Sequence, residues 1–147
     1  MAADKSYTKI IAQAADLDVA ANDRVADSKA LFAANRPAMA IATAIYSIEI
    51  HLKVLICKKL ELPALPKAFE IHDLEALLVL SGLSSRLNEP NAASVKSNWD
   101  NILTLEVRLN DLRYTPDHNW SPHQASTFLR WLEAPSDGVL PWLLNQK

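Results

Sequence analysis

Residues 37–60, PAMAIATAIYSIEIHLKVLICKKL, constrain the fold more than any other part of this chain. They read as one long helix, apolar on most of its circumference, that carries Glu49 and Lys53 within its apolar part. With a step of about 100° per residue, Ile45, Ile48, Leu52, Leu55 and Ile56 fall within roughly 60° of Ile41 and form an i, i+4, i+7 stripe. Met39, Tyr46, Ile50 and Cys57 make a second apolar sector at about 140–180°, and Glu49 and Lys53 lie between the two at about 80° and 120°. The solvent side is then expected around Ser47, His51 and Lys58. Charges between two apolar sectors cost free energy unless they are paired or used.

A chain of 147 residues, half of them hydrophobic and 22% charged, has the length and composition of one globular domain, 1–147. Two glycines among so many alanines, leucines and isoleucines favour helices over a turn-rich β fold. The charges within 37–60 argue against a membrane span. MAADKSYTK at the start lacks the apolar core of a signal peptide, so a cytoplasmic setting is expected. The single Cys57 excludes an internal disulfide and a multi-cysteine metal site. The four histidines, His51, His72, His118 and His123, lack metal-ligand spacing, and no glycine-rich phosphate loop exists. Neither a metal nor a cofactor is expected. A net charge of −2 is not that of a broadly basic nucleic-acid surface, although His51, Lys53, Lys58, Lys59 and Lys67 form one locally basic stretch.

Residues 5–15 and 18–34 look helical, with a weak point at 16–18. Asn35-Arg36 marks a corner before Pro37, which suits a first helical turn. Pro63 and Pro66 end the long helix and make 61–70 a loop. A short helix follows within 72–83, with Asp73 as N-cap, Leu74, Leu77 and Leu78 on one face, and Gly82 as its stop. A fourth helix is expected over 91–113. Its stripe contains Val95, Trp99, Ile102 and Leu109, and also the charged Glu106 and Arg113. Ser121-Pro122-His123-Gln124 is a capping-box start for the next helix, in which Ala125, Phe128, Leu129 and Leu132 share a face. Asp137 is expected to cap a last one. These elements make an all-α, up-and-down bundle of five or six helices.

Three segments resemble one family. AIATAIYSIEIHLKVLI (40–56) is similar to the second helix of HEPN domains, an Ala-rich helix carrying Glu and, four residues on, Lys. HDLEALL (72–78) resembles the family's short His-Asp/Asn-Leu segment. LRYTPDH (112–118) resembles its Arg-Tyr-Pro-Asp corner. The order and spacing agree across about 20–145. The resemblance implies a helical bundle that is generally dimeric. Members bind nucleotides, accompany minimal nucleotidyltransferases, act as toxin–antitoxin or phage-defence ribonucleases, or have lost catalysis.

Three functional expectations follow. The first is a non-catalytic nucleotide- or RNA-binding homodimer. Its seam is formed by Glu49, Lys53, Glu106 and Arg113, with Tyr114 shaping the corner and Arg113–Glu49 and Lys53–Glu106 as pairings. The same four charges equally suit a sealed ion network that fixes helix register. The second is a metal-independent endoribonuclease. Arg113 and His118 match the family's Arg-x4–6-His spacing, which would let His118 move the proton of a ribose hydroxyl and Arg113 clamp the scissile phosphate. Tyr114 departs from the small polar residue usual in those nucleases, and Pro116 separates Arg113 from His118. The third is a scaffold that binds a partner such as a cognate nucleotidyltransferase or antitoxin, with Trp120 or Trp131 as an interface anchor.

Overall fold

The computed structural model describes residues 12–146. Helix α1, Ala14–Ala33, runs unbroken through Asp16, Leu17 and Asp18, so the weak point expected there is absent. The helix starts after Gln13, where the backbone pairs with the proline loop near residues 63–65: Ala14 N–H donates to Pro63 and Leu65 N–H to Ala12. The part of the expected first helix before residue 12 lies outside the described residues. Asn35, in the left-handed region at φ 59°, turns the chain at the expected corner. Helix α2, Pro37–Lys59, then packs along α1. Pro37 occupies its first turn, where the absent N–H costs no helical bond.

Eighteen of the 23 residues of α2 are buried, which makes it the central rod of the bundle. It is long and apolar enough to cross a membrane, yet 83% of its most apolar stretch is covered by the rest of the protein. Ala38, Ala40, Ala42 and Ala44 are all buried, and at Ala40 the small side chain lets α1 lie close. At this close approach the buried Ser28 hydroxyl of α1 donates to the Ala40 carbonyl at 2.6 Å.

The solvent side of α2 is not where helical periodicity puts it. Ser47 and His51 are both fully buried, and Lys58 alone of the three is exposed. The Ser47 hydroxyl bonds the Ala44 carbonyl of its own helix, so its burial leaves no unmet donor. The helix opens instead at Tyr46 and Ile50, which are half-buried, and at Met39. Three of the four residues assigned to the second apolar sector are therefore its wet edge, and Cys57 is the buried exception. Burial raises the Cys57 thiol pKa.

Lys58 and Lys59 end α2, and Glu61 at φ 53° turns the chain into the proline loop. Helix α3, Leu74–Leu80, is capped by the Asp73 carboxylate, which accepts the Ala76 N–H. Gly82 at φ 78° stops it, in a conformation that glycine adopts without strain. A single turn, α4 (Ser84–Leu87), leads to α5, Ala93–Glu106.

The expected fourth helix is two helices. Val107 and Arg108 break it with a turn, and α6, Leu109–Tyr114, follows. The Arg108 guanidinium lies 4.9 Å from the centre of the Trp120 ring, and Val107 is 80% exposed. Beyond the break Leu112 is buried and Arg113 exposed, while Glu106 before it is half-buried.

Ser121 closes the expected capping box with Gln124 at the start of α7, Pro122–Glu133. Ala125, Phe128 and Leu132 are fully buried against α2 and α5. Helix α8, Val139–Leu144, is preceded by Gly138 as N-cap, not by Asp137, whose carbonyl accepts from the Asn98 side chain. The result is an all-α bundle with eight helices among the described residues; the split at 107–108 and the turn α4 account for the increase over six. Trp120 is 6% exposed and donates its indole N–H to Thr115, so it is a bundle residue and not an interface anchor. Trp131 is half-buried, with its ring edge-on to Phe128.

Candidate functional site

Glu49 points from α2 toward the start of α3. Its Oε1 accepts from Lys53 Nζ at 2.6 Å and lies 2.9 Å from His72 Nδ1. The Glu49 and Lys53 side chains are 10% and 8% exposed, whereas that of His72 is 82% exposed. One carboxylate oxygen thus joins a buried ammonium to a surface imidazole. Residues four apart on a helix are neighbours, which is why Lys53 meets Glu49 and not a residue of another helix.

Glu106 reaches the same place from α5. Its Oε1 accepts the N–H of Leu74, one of the first-turn donors that an α-helix leaves without an internal partner. The Glu106 pKa is raised, first by burial and then by the nearby carboxylates of Asp73, Glu75 and Glu49, against the lowering effect of the Leu74 hydrogen bond. The His-Asp-Leu segment is therefore a small junction. His72 binds Glu49, Asp73 caps its own helix, and Leu74 is buried while its amide binds Glu106.

The expected seam is partly assembled. Glu49, Lys53 and Glu106 gather around residues 72–74, but the expected pairings, Arg113–Glu49 and Lys53–Glu106, are not those observed. Arg113 stands in the open with its guanidinium 5.9 Å from the centre of the Tyr46 ring. It makes no ion pair among the described residues. Tyr114 ends α6 with 79% of its surface exposed.

Arg113 and His72 flank a groove of about 480 Å³ between α1, α2 and α6, completed by Arg24, Tyr46, Glu49, Ile50 and Leu109. A second hollow of about 430 Å³ shares Arg113, His72 and Leu109 and adds Asp73, Glu75 and Glu106. A third, of about 560 Å³, continues the other way past Arg24 and Tyr46. Neighbouring hollows share lining residues: Arg24, Arg113, Tyr46 and Glu49 line the first, Asp73, Glu75 and Glu106 the second, and Asp27 the third. Arg24 is tied to Asp27 at 2.8 Å.

His118 is elsewhere. It lines a separate hollow with Asn35, Pro37, Asp117 and Trp120, beyond the extended backbone at Thr115 and Pro116. Arg113 and His118 thus line different hollows. The neighbouring Asp117 serves the fold. Its Oδ1 accepts the Ala38 N–H at 3.1 Å and caps the first turn of α2 from 79 residues away.

His72, Tyr46, Arg24 and Asp117 are not among the residues the sequence singles out for the site. The signals were a polar residue just before a helix cap and a Glu-x-x-x-Lys in a buried helix. Comparison with protein-family models, curated proteins and solved structures finds no match for the chain.

Proposed function

We propose that this protein is a HEPN-like nucleotide- or RNA-binding module that works as a homodimer in the cytoplasm, beside a partner such as a nucleotidyltransferase or antitoxin. The observation that carries the binding reading is the solvent-open Arg113 held against the Tyr46 ring in a groove that Arg24 also lines. A planar guanidinium offers a fork of N–H donors to a phosphate, and an aromatic face offers a stacking surface to a base. Lys53, expected to contact the ligand, is instead engaged by Glu49 and supports the groove floor. The carboxylates of Asp73, Glu75 and Glu106 disfavour a long polyanion in the second hollow, and Arg24 is engaged by Asp27, so Arg113 is the cation left to take the phosphate. The alternative is ribonuclease chemistry through Arg113 and His118, which line different hollows of one chain and would meet in a cleft formed across the homodimer.

Thermal unfolding with millimolar mono- and dinucleotides and a short single-stranded RNA tests this reading. A ligand at a hundred times its Kd stabilises the folded state by about 2.7 kcal/mol. Arg113→Ala abolishes the upward shift in Tm while leaving the unliganded Tm nearly unchanged, because the side chain is exposed. No shift with any of these ligands overturns the proposal. Light scattering that finds only monomer removes the homodimer from it.

A further inference from the structure

We propose that a hollow at the C-terminal end of α2, lined by Lys58, Lys59 and Arg86, is a binding site for a small, multiply charged phosphate such as inorganic diphosphate. It shares no lining residue with the Arg113 groove, so it stands independently of the binding reading above. Leu55, Lys58 and Lys59 are three and four residues apart on α2 and therefore share a face. The usual task of lysines at a helix C-terminus is to serve the last carbonyls. Here the carbonyls of Ile56, Lys58 and Cys57 already accept the backbone N–H groups of Leu60, Glu61 and Leu62. Both lysines are exposed, and neither makes an ion pair among the described residues. They line instead a hollow of about 310 Å³, the small end of the range for ligand pockets.

Two features place the cations. Gly82 turns the chain after α3, and a Cβ at this position would overlap the Lys59 ammonium, so the glycine makes room for the lysine as well as for the turn. Arg86 donates from Nη1 to Gln146 Oε1 at 2.9 Å, and Gln146 Nε2 donates to the Trp142 carbonyl at 3.1 Å. This chain of two hydrogen bonds fixes the guanidinium beside the hollow and leaves its other N–H groups to a ligand. Three cations thus line one hollow with no carboxylate among its lining residues, in a chain whose net charge is −2. Like charges gathered in this way repel, and an anion between them removes that cost. A phosphoryl group brings three acceptor oxygens and about two negative charges, which suits one guanidinium fork and two ammonium point charges. Diphosphate repeats that chemistry in one small ion. Nothing in the hollow reads a base. No aromatic side chain lines it, Leu55 and Leu83 are buried and apolar, and the Ser81 hydroxyl is spent on the Leu78 carbonyl.

Isothermal titration calorimetry of the full chain with inorganic diphosphate, at neutral pH and constant ionic strength, tests the site. Saturable binding of one diphosphate per chain is expected. Lys59→Gln and Arg86→Gln each weaken it about tenfold or more, since each removes a charged hydrogen-bond donor. Both side chains are exposed, so the variants keep the fold, which circular dichroism checks. Arg113→Ala binds diphosphate as the wild type does. So does Lys67→Gln, which removes an exposed cation of the same basic stretch from outside the hollow. Absence of saturable binding overturns the proposal. An equal loss in Lys67→Gln also overturns it, because the attraction is then diffuse surface charge. Binding that survives Arg86→Gln and disappears in Arg113→Ala overturns it as well and moves the phosphate to the other groove.

Discussion

Replacing Lys53 with Met tests whether the Glu49–Lys53 pair holds the bundle together. Both side chains are at least nine-tenths buried, and their contact is 2.6 Å. Methionine keeps the length and apolar stem of lysine but strands the carboxylate. Removing one partner of a buried pair costs about 3–5 kcal/mol, since the remaining charge stays out of water. Glu49 keeps His72 and sits at the groove edge, which favours the lower end of that range. A chain of this size loses about 2–4 °C of Tm per kcal/mol, so a fall of about 6–12 °C is expected. Chemical denaturation monitored by the four tryptophans gives the free energy directly. The double substitution Glu49→Leu, Lys53→Met separates pairing from packing. It removes both charges, and its stability returns to within about 1 kcal/mol of wild type. A single Lys53→Met variant that loses less than about 1 kcal/mol would refute the reasoning, because Glu49 would then be as well solvated without its partner.

Two further substitutions probe the neighbouring carboxylates. Glu106 has a raised pKa in the folded protein, chiefly from burial, so keeping it ionised at neutral pH opposes folding. That cost fades as pH falls through the raised pKa toward the ordinary carboxyl range. Glu106→Gln, whose amide oxygen still accepts from Leu74, is therefore more stable than wild type at about pH 7 and no different at about pH 3.5. The gain stays below about 1 kcal/mol because the residue is only half-buried. Denaturant titrations at both pH values check the sign, and equal stability at pH 7 counts against the burial argument. Asp117→Ala removes the distant cap of α2 and lowers stability by about 1 kcal/mol, while Asp117→Asn retains most of it. The same titration measures both, and an unchanged Asp117→Ala variant rules out the capping role.

Local chemistry was legible in the sequence. Pro37 in the first turn of α2, Asp73 and Ser121 as caps and Gly82 as a stop were all readable, because each acts on backbone within three or four residues. The break at Val107–Arg108 was not. Neither glycine nor proline marks it; beside its neighbour Asp111, Arg108 meets the Trp120 ring beyond the next turn, and Leu112 meets the core, contacts that periodicity does not reveal. The wet edge of α2 was misread for a related reason. Periodicity locates apolar faces, but a rod surrounded by helices buries polar positions as well, and Ser47 and His51 went in with the rest. The misplaced charges did point to one region. Their partners could not be named, since the contacts from Glu49 to His72 and from Glu106 to Leu74 span 23 and 32 residues.

Glu49 shows why the core and the groove of this protein cannot be assigned to separate residues. From the Lys53 side it is an interior ion that must be neutralised for α2 to occupy the centre of the bundle. From the His72 side it is the acceptor that orients a surface ring. The two demands fall on a single oxygen, Oε1. Substitutions at Lys53 therefore reach the groove without touching it, since a displaced carboxylate releases the imidazole. Substitutions at His72 do not travel the other way, because an exposed ring can be removed while the buried pair stays intact. This asymmetry ties the site to the fold through α2, the helix whose charges first set this sequence apart.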